Sequence, residues 1–106
     1  MTTSKNNYDA LESMICGDNI RITGLEFHPE LDLMLVMLNT DTVLRQRLSE
    51  YPHLEKASVE ALSNYELIGG GVGVHWPALD EDLSLKGFLQ QELRKLIFNW
   101  GKNLAA

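Results

Sequence analysis

The sequence predicts an α+β fold in which one antiparallel sheet packs against a long C-terminal helix. Three observations predict this class. Apolar and polar residues alternate over residues 19–48, which is the two-residue period of half-buried strands. A glycine-rich segment then separates two further β-rich runs. Finally, apolar residues between Leu85 and Trp100 recur at the spacing of an amphipathic helix.

The first predicted element is a short helix that precedes the sheet. Tyr8, Leu11 and Ile15 recur at helical spacing, and Gly17 stands where such a helix would end. Asn7 is a suitable cap because its side chain can accept a backbone hydrogen bond. We therefore expect a tail and helix over residues 1–18, followed by a single domain over residues 19–106.

Three strands joined as a meander come next. Gly24 shifts the alternation of the first strand by one residue, as a β-bulge does. A turn at His28–Glu30 leads into the run Leu31–Leu38, which is apolar enough to be a central strand. Asn39–Asp41 has turn composition. The run Thr42–Leu48 completes the meander.

The middle of the chain predicts short helical segments and then a hairpin. Ser49 and Ser58 can each cap a short helical turn. Gly70 and Gly71 separate two β-rich runs, which is typical of a tight hairpin. The predicted order is therefore α-βββ-α-ββ-α. With so few strands, we expect the meander and hairpin to form a single sheet.

The last predicted element is a long amphipathic helix that covers this sheet as the second layer of a two-layer sandwich. The acids Asp80, Glu81 and Asp82 precede it, where negative charge would complement the positive end of the helix dipole. Gly101 is expected to end the helix.

The composition is that of a globular protein of 106 residues, with 44% hydrophobic and 23% charged residues. No apolar run reaches the ~20 residues of a membrane-spanning helix, and no secretory signal is recognisable, so we expect a cytoplasmic protein. Cys16 is the only cysteine and cannot form an internal disulfide.

The charge balance bears on the kind of partner. Fifteen acidic residues against nine basic ones give a formal net charge of -6. Direct binding of nucleic acid is not expected, because such binding depends on basic side chains that neutralise phosphates. A basic protein partner is easier to accommodate, since opposite electric fields steer association.

The glycine-rich stretch GGGVGVHW matches neither common phosphate-binding motif. A P-loop requires a lysine followed by serine or threonine, and no such pair follows Gly73. The dinucleotide fingerprint requires a small residue where Val74 stands. A hairpin explains the glycines without a ligand, because glycine readily adopts positive φ.

No metal site, cofactor or catalytic group is predicted. The acids fail as a calcium loop, because Leu85 stands where glycine is needed and Gln91 where glutamate is needed. His28, His53 and His75 lack the spacing of zinc ligands, and no G-x-S-x-G motif marks a nucleophile. An enzyme whose catalytic residues come together only on folding stays open as an alternative.

One segment is similar to a known family. The run GVGVHWPALDEDLSLKGFL, with the L-x-x-Y-P-x-L-x-x-A pattern at residues 48–57, resembles the small prokaryotic family called domain of unknown function 2442. The resemblance covers residues 19–89, and its most specific part is W-P-x-L-D-E-D. It implies an α+β domain, sometimes joined to a DNA-binding helix-turn-helix, and genes beside toxin-like partners. It implies no established activity.

The chain departs from the usual form of that family at both ends. It has a helix before the first strand, and its final helix runs on through QQELRKLIFNW. No helix-turn-helix follows within these 106 residues, so direct DNA binding is not expected, which agrees with the acidic charge balance.

These observations favour a non-enzymatic protein-interaction or regulatory accessory module, antitoxin-like in kind. An alternative is a small-molecule binding domain with a pocket between the sheet and the C-terminal helix, where Trp76 could stack on a planar ligand. The predicted partner- or ligand-binding residues are His75, Trp76, Asp80, Glu81 and Asp82.

The final helix is more apolar than a small sheet needs, and Phe98 departs from its main stripe. Exposed aromatic residues on a helix flank commonly seal a subunit interface. We therefore expect a symmetric homodimer through the terminal helices, unless Phe98 packs against the N-terminal helix instead. The predicted interface residues are Phe88, Leu96, Phe98 and Trp100.

Overall fold

The computed structural model describes residues 9–105, and the side chains of residues 9–98. Within that range the chain forms two three-stranded antiparallel sheets and four α-helices. The first sheet, here the meander sheet, contains β1 (Ile22–His28), β2 (Leu33–Leu38) and β3 (Val43–Gln46). The second sheet contains β4 (Glu66–Ile68), β5 (Gly73–Trp76) and β6 (Glu81–Ser84). The helices are α1 (Ala10–Gly17), α2 (Pro52–Glu55), α3 (Val59–Ser63) and α4 (Leu85–Ala105).

The α+β class, the N-terminal helix and the long C-terminal helix are confirmed, but the prediction of a single sheet is wrong. The hairpin β4–β5 does not join the meander, because β6 pairs with β5 and completes a separate sheet. The acids 80–82 therefore do not begin the helix. Asp82 lies opposite His75 in the strand register, and α4 starts only at Leu85. There the Ser84 hydroxyl accepts a hydrogen bond from the Gly87 N–H at 2.9 Å.

The core lies between the inner face of the meander sheet, the second sheet and the first turns of α4. Met34, Val36 and Leu38 alternate along β2 and point inward, as the two-residue period requires. Phe88 of α4 is 1% exposed and belongs to the same cluster. Burying each such side chain contributes roughly 1.5–3 kcal/mol, so the apolar stripe of α4 holds the helix on the sheet.

A buried polar network also attaches α4 to β3. Gln46 is fully buried, and its amide nitrogen donates to Glu92 Oε2 at 2.9 Å. The Tyr51 hydroxyl donates to Gln46 Oε1, and burial raises the pKa of Tyr51 to about 12. Lys95 donates to the Arg45 carbonyl oxygen at the open edge of β3. The helix is therefore held by specific hydrogen bonds as far as the β3 edge.

The glycine-rich hairpin is confirmed, and it joins the two sheets. Gly69, Gly70 and Gly71 all have positive φ, which favours glycine. The Ile22 N–H donates to the Gly71 carbonyl oxygen at 2.8 Å. A Cβ atom at Gly71 would lie 2.4 Å from the Ile22 carbonyl oxygen, so this approach of hairpin to strand excludes any side chain.

Two further local predictions are confirmed. The register between β1 and β2 shifts between Ile22 and Gly24, as the bulge required. The Ser58 hydroxyl accepts from the Ala61 N–H at 3.1 Å and caps α3.

Three local predictions are wrong. The cap of α1 is Asp9, which forms a reciprocal capping box with Glu12, and not Asn7. Ser49 caps no helix, because its hydroxyl donates to Asp32 at 2.7 Å. The helix α4 continues through Gly101 to Ala105, so this glycine does not act as a stop.

Two connections in the fold share one sequence pattern, P-x-L-D. Pro29–Asp32 joins β1 to β2, and Pro77–Asp80 joins β5 to β6. Each makes a 3₁₀ turn and then an aspartate in the left-handed region, at φ 53°, ψ 45° for Asp32 and φ 50°, ψ 47° for Asp80. Aspartate tolerates this conformation better than most residues, so four residues encode the same turn twice.

Candidate functional site

The outer face of the second sheet carries a row of ionisable side chains, one from each strand. Glu66 of β4 lies opposite His75 of β5, which lies opposite Asp82 of β6. His75 Nδ1 and Asp82 Oδ1 are hydrogen-bonded at 2.5 Å. Residues that alternate in a strand with buried Val74 and Trp76 must face outward, so the core positions fix this row at the surface.

The row is strongly acidic around its one imidazole. The hydrogen bond to Asp82 is the main cause of a raised pKa of His75, and the charges of Asp82, Glu66 and Asp80 raise it further. Protonated His75 is thus stabilised by its neighbours, while the surrounding carboxylates leave the surface negative.

The sequence-predicted site residues are only partly brought together. His75 and Asp82 form the pair described above, and the exposed Asp80 is close enough to influence it. Glu81 points to the opposite face of β6, where its carboxylate lies 2.6 Å from His53 Nδ1 of α2. Its contact is thus with another element of the same chain.

Trp76 requires a correction. It is fully buried, and its indole nitrogen donates to the Leu62 carbonyl oxygen at 2.9 Å. It cannot stack on a planar ligand or meet a partner at the surface, because its ring is part of the core. The strand period predicted that His75 and Trp76 face opposite ways, but not which of them faces inward.

Glu66 was not among the predicted site residues. Its position opposite His75 follows from the hairpin register, in which Ile68 pairs with Gly73. Counting outward from the glycine turn would have placed Glu66 beside His75. Among the described residues, no group of three or more His, Cys, Asp or Glu side chains could hold a metal ion.

A second candidate surface is the distal part of α4. Leu93, Leu96 and Ile97 are 44%, 65% and 62% exposed, and Phe98 is 63% exposed. An open groove of about 500 Å³ is bordered by Ile97 and Phe98 together with Arg94 and Lys95. Large apolar side chains are thus concentrated where the helix has left the core.

The predicted interface residues divide between core and surface. Phe88 is a core residue at 1% exposure, so the prediction that it forms a dimer interface is wrong. Leu96 and Phe98 lie on the distal part of α4 and are accessible. The Trp100 side chain lies outside the described side chains.

A cleft of about 520 Å³ lies between the meander sheet and α4, where the sequence predicted a ligand pocket. Arg45, Arg47 and Lys95 contribute its positive charge, and Asp32 and Glu92 its negative charge. Trp76 does not line it. Binding of a small molecule here stays a prediction.

The helices of the described region include none that is long and apolar enough to cross a membrane.

Comparisons with known proteins agree with this fold. The model of the family described as "Protein of unknown function (DUF2442)" matches residues 22–93. A crystal structure of a protein of unknown function from Rhodospirillum rubrum is 29% identical, with a TM-score of 0.59, over 68% of this chain and 87% of that one. A solution structure of an uncharacterized protein from Chromobacterium violaceum is 26% identical, with a TM-score of 0.62, over 85% of each chain. No curated protein matches the chain.

Proposed function

The chain belongs to the DUF2442 family of proteins of unknown function, and from that premise we propose that it is a non-enzymatic protein-interaction module that acts as a homodimer. The observation that carries the proposal is the exposed apolar surface of distal α4. Monomeric proteins rarely expose a large cluster of apolar side chains, and such clusters commonly mark the surface that binds another protein.

The sequence of α4 supports this reading. Leu89 packs against the core, and Leu93 and Leu96 continue the same stripe at spacings of four and three residues. The stripe therefore extends beyond the domain that its first half covers. Removing such surface from water contributes about 25 cal/mol per Å², which offsets part of the free energy that association costs.

A second part of the proposal concerns a heterologous partner, regulatory or toxin-like in kind. Glu66, Asp80 and Asp82 surround His75 on an open sheet face, and the whole chain has a net charge of -6. We place the basic surface of the partner on this face, where opposite potentials would speed association and fix orientation. We also place the module in the cytoplasm, since the exposed free Cys16 suits a reducing compartment.

Sedimentation tests the homodimer. We expect the native protein to be dimeric at micromolar concentration and Leu96→Glu to raise the dimer dissociation constant at least tenfold, because the charge would have to be desolvated in the interface. Val59→Glu is the matched control, since Val59 is 57% exposed and belongs to α3 and not to α4. A native protein that stays monomeric at high micromolar concentration contradicts the proposal, as does equal disruption by the control.

Binding measurements test the acidic face. A partner captured from host extract would be purified and titrated against the native protein and the variant Glu66→Gln/Asp82→Asn. We expect the variant to bind the partner more weakly than the native protein does, and we expect its affinity to depend less on salt concentration. Glu60→Gln, also exposed but on α3, should bind as the native protein does. Unchanged affinity of the double variant would remove this face from the proposal.

A further inference from the structure

The meander sheet is apolar on both faces of its central strand. The inner residues Met34, Val36 and Leu38 are buried in the core. The outer residues of β2 are Leu33, Leu35 and Met37, which are only partly buried and stand outside both the core cluster and the side chains packed against it. A strand that is apolar on both sides is typical of a sheet covered by a layer on each face.

Charged side chains border this outer apolar strip. In the strand register, Leu35 lies between Glu26 of β1 and Arg45 of β3, and Met37 lies opposite Val43. Val43 is 48% exposed and extends the apolar strip to the β3 edge. Beyond β1, Glu30 adds a second exposed carboxylate. The outer face thus has an apolar centre with an acidic side and a basic side.

Distal α4 complements this face in length and charge. The segment 93–105 spans about 20 Å at 1.5 Å per residue, and β2, with six residues, spans about 20 Å at 3.3 Å per residue. Arg94, on this segment, has only the neutral Gln91 amide oxygen as a hydrogen-bond partner in the described region. Its charge is therefore available to a carboxylate such as Glu26.

We propose that the distal α4 of each copy covers the outer face of the meander sheet in a second copy of this chain. This inference rests on the proposed homodimer and names the surface that the exposed helix contacts. Each sheet would then lie between two helices, its own α4 on the inner face and the second copy's α4 on the outer face.

The path of α4 makes this arrangement feasible. The helix leaves its own domain at the β3 edge, where Lys95 bonds the Arg45 carbonyl oxygen. A twofold axis near that edge sets the two meander sheets side by side and facing opposite ways, between two antiparallel helices. The exchange is reciprocal, so each chain contributes both a helix and a sheet face to the interface.

Reciprocal packing accounts for more of the exposed apolar surface than pairing of the two helices alone. A helix pair would cover Leu93 and Leu96 but leave Leu35 and Met37 in water. The exchange covers both sets and makes two helix-on-sheet contacts per dimer. This brings the interface toward the ~800 Å² per partner that stable complexes bury.

Cysteine cross-linking tests the arrangement, with Cys16→Ser as the background. Chains carrying Leu35→Cys are mixed with chains carrying Leu96→Cys and oxidised mildly. We expect a covalent dimer in the mixture and much less with either chain alone. A mixture of Leu96→Cys with Val59→Cys, whose residue lies on α3, is the control for random encounter and should not cross-link.

A second variant guards against a cysteine chain that misfolds. Leu35→Arg on the partly exposed outer face should keep the circular dichroism spectrum of the folded native protein and raise the dimer dissociation constant at least tenfold in sedimentation. Preferential cross-linking of Leu96→Cys to itself overturns the inference while leaving the homodimer intact, and so does a dimer in which neither cross-link forms or Leu35→Arg has no effect. A native monomer instead refutes the proposed function itself.

Discussion

The two P-x-L-D turns have the same backbone conformation, but the residue directly before the proline faces outward in the first turn and is buried in the second. In the first, Phe27 packs toward the core and His28, directly before the proline, faces outward. In the second, Trp76 directly before the proline is buried and His75 faces outward. The rings of Phe27 and Trp76 nevertheless meet edge to face at 6.4 Å. A local sequence can thus encode a turn without determining which side of its strands becomes buried.

The aspartates of the two turns differ in the same way. Asp32 accepts hydrogen bonds from the Ser49 N–H at 2.8 Å and the Ser49 hydroxyl at 2.7 Å, and it pairs with Arg47 at 3.2 Å. The side chain of Asp80 is exposed and accepts no hydrogen bond from the described residues. The left-handed backbone accounts for an aspartate at both positions. Hydrogen bonds and an ion pair with other parts of the chain give only Asp32 a second role.

Replacing the residue before each proline gives the largest expected contrast. Trp76→Ala should lower the free energy of unfolding by about 3–5 kcal/mol, because it opens a cavity in the core and leaves the Leu62 carbonyl unbonded. His28→Ala should change it by less than about 0.5 kcal/mol, as surface substitutions usually do. Urea unfolding measures both. Similar losses at the two positions would contradict the opposite facing of the turns.

Replacing each aspartate should give a smaller contrast. Asp32→Ala removes the bonds to Ser49 and Arg47 as well as a residue suited to left-handed backbone, whereas Asp80→Ala removes only the latter. We expect the lower urea midpoint for Asp32→Ala. Asparagine at either position tolerates the same backbone and serves as the control, so Asp80→Asn should unfold at nearly the native midpoint. A larger loss at Asp80 would refute the distinction.

Acid should weaken the first turn. Hydrogen bonds from Ser49 and the Arg47 charge hold the pKa of Asp32 below its usual value. A lowered folded-state pKa contributes stability that is present above the unfolded pKa, about 3.9, and is lost as pH falls through the folded value. Asp32→Asn should therefore show a shallower loss of urea midpoint in acid than the native protein. Parallel curves would argue against this role of Asp32.

Raising the pH should remove the stabilisation that the pair of His75 and Asp82 gives beside the second turn, and this is the smallest effect that we expect. Asp82 raises the pKa of His75, so the pair stabilises the fold below the unfolded pKa of histidine, about 6.5, and this contribution is lost as pH rises through the folded value. NMR titration of His75 should give a lower pKa in Asp82→Asn than in the native protein. The Glu60→Gln variant should not alter it.

The parts of the fold that depend on neighbouring residues could be predicted from the sequence. The bulge at Gly24, the glycine hairpin and the Ser58 cap each follow from chemistry within a few residues. The strand β6 was missed because acidic residues suit a helix start as well as an exposed strand face. Only the pairing with β5 decides between the two.

The candidate site was predicted less well for a related physical reason. His75 and Asp82 were found because they lie in one conspicuous segment, but Glu66 joins them through strand pairing. Trp76 and Phe88 were assigned to surfaces because period alone reveals that a residue shares a face, not that the core occupies that face. Burial depends on how the elements pack together, so local sequence patterns could not predict it.

The contact between Gly71 and Ile22 also affects the tendency of the protein to aggregate. In this contact the Ile22 N–H at the start of β1 donates to the Gly71 carbonyl oxygen, and further along the strand the Leu25 N–H donates to the Tyr65 hydroxyl oxygen at 3.0 Å. Together they shield a strand edge that would otherwise be open to other chains. A substitution of Gly71 that breaks this contact would uncover the edge of β1. Strands of other chains could then pair with the meander sheet, and the protein would aggregate.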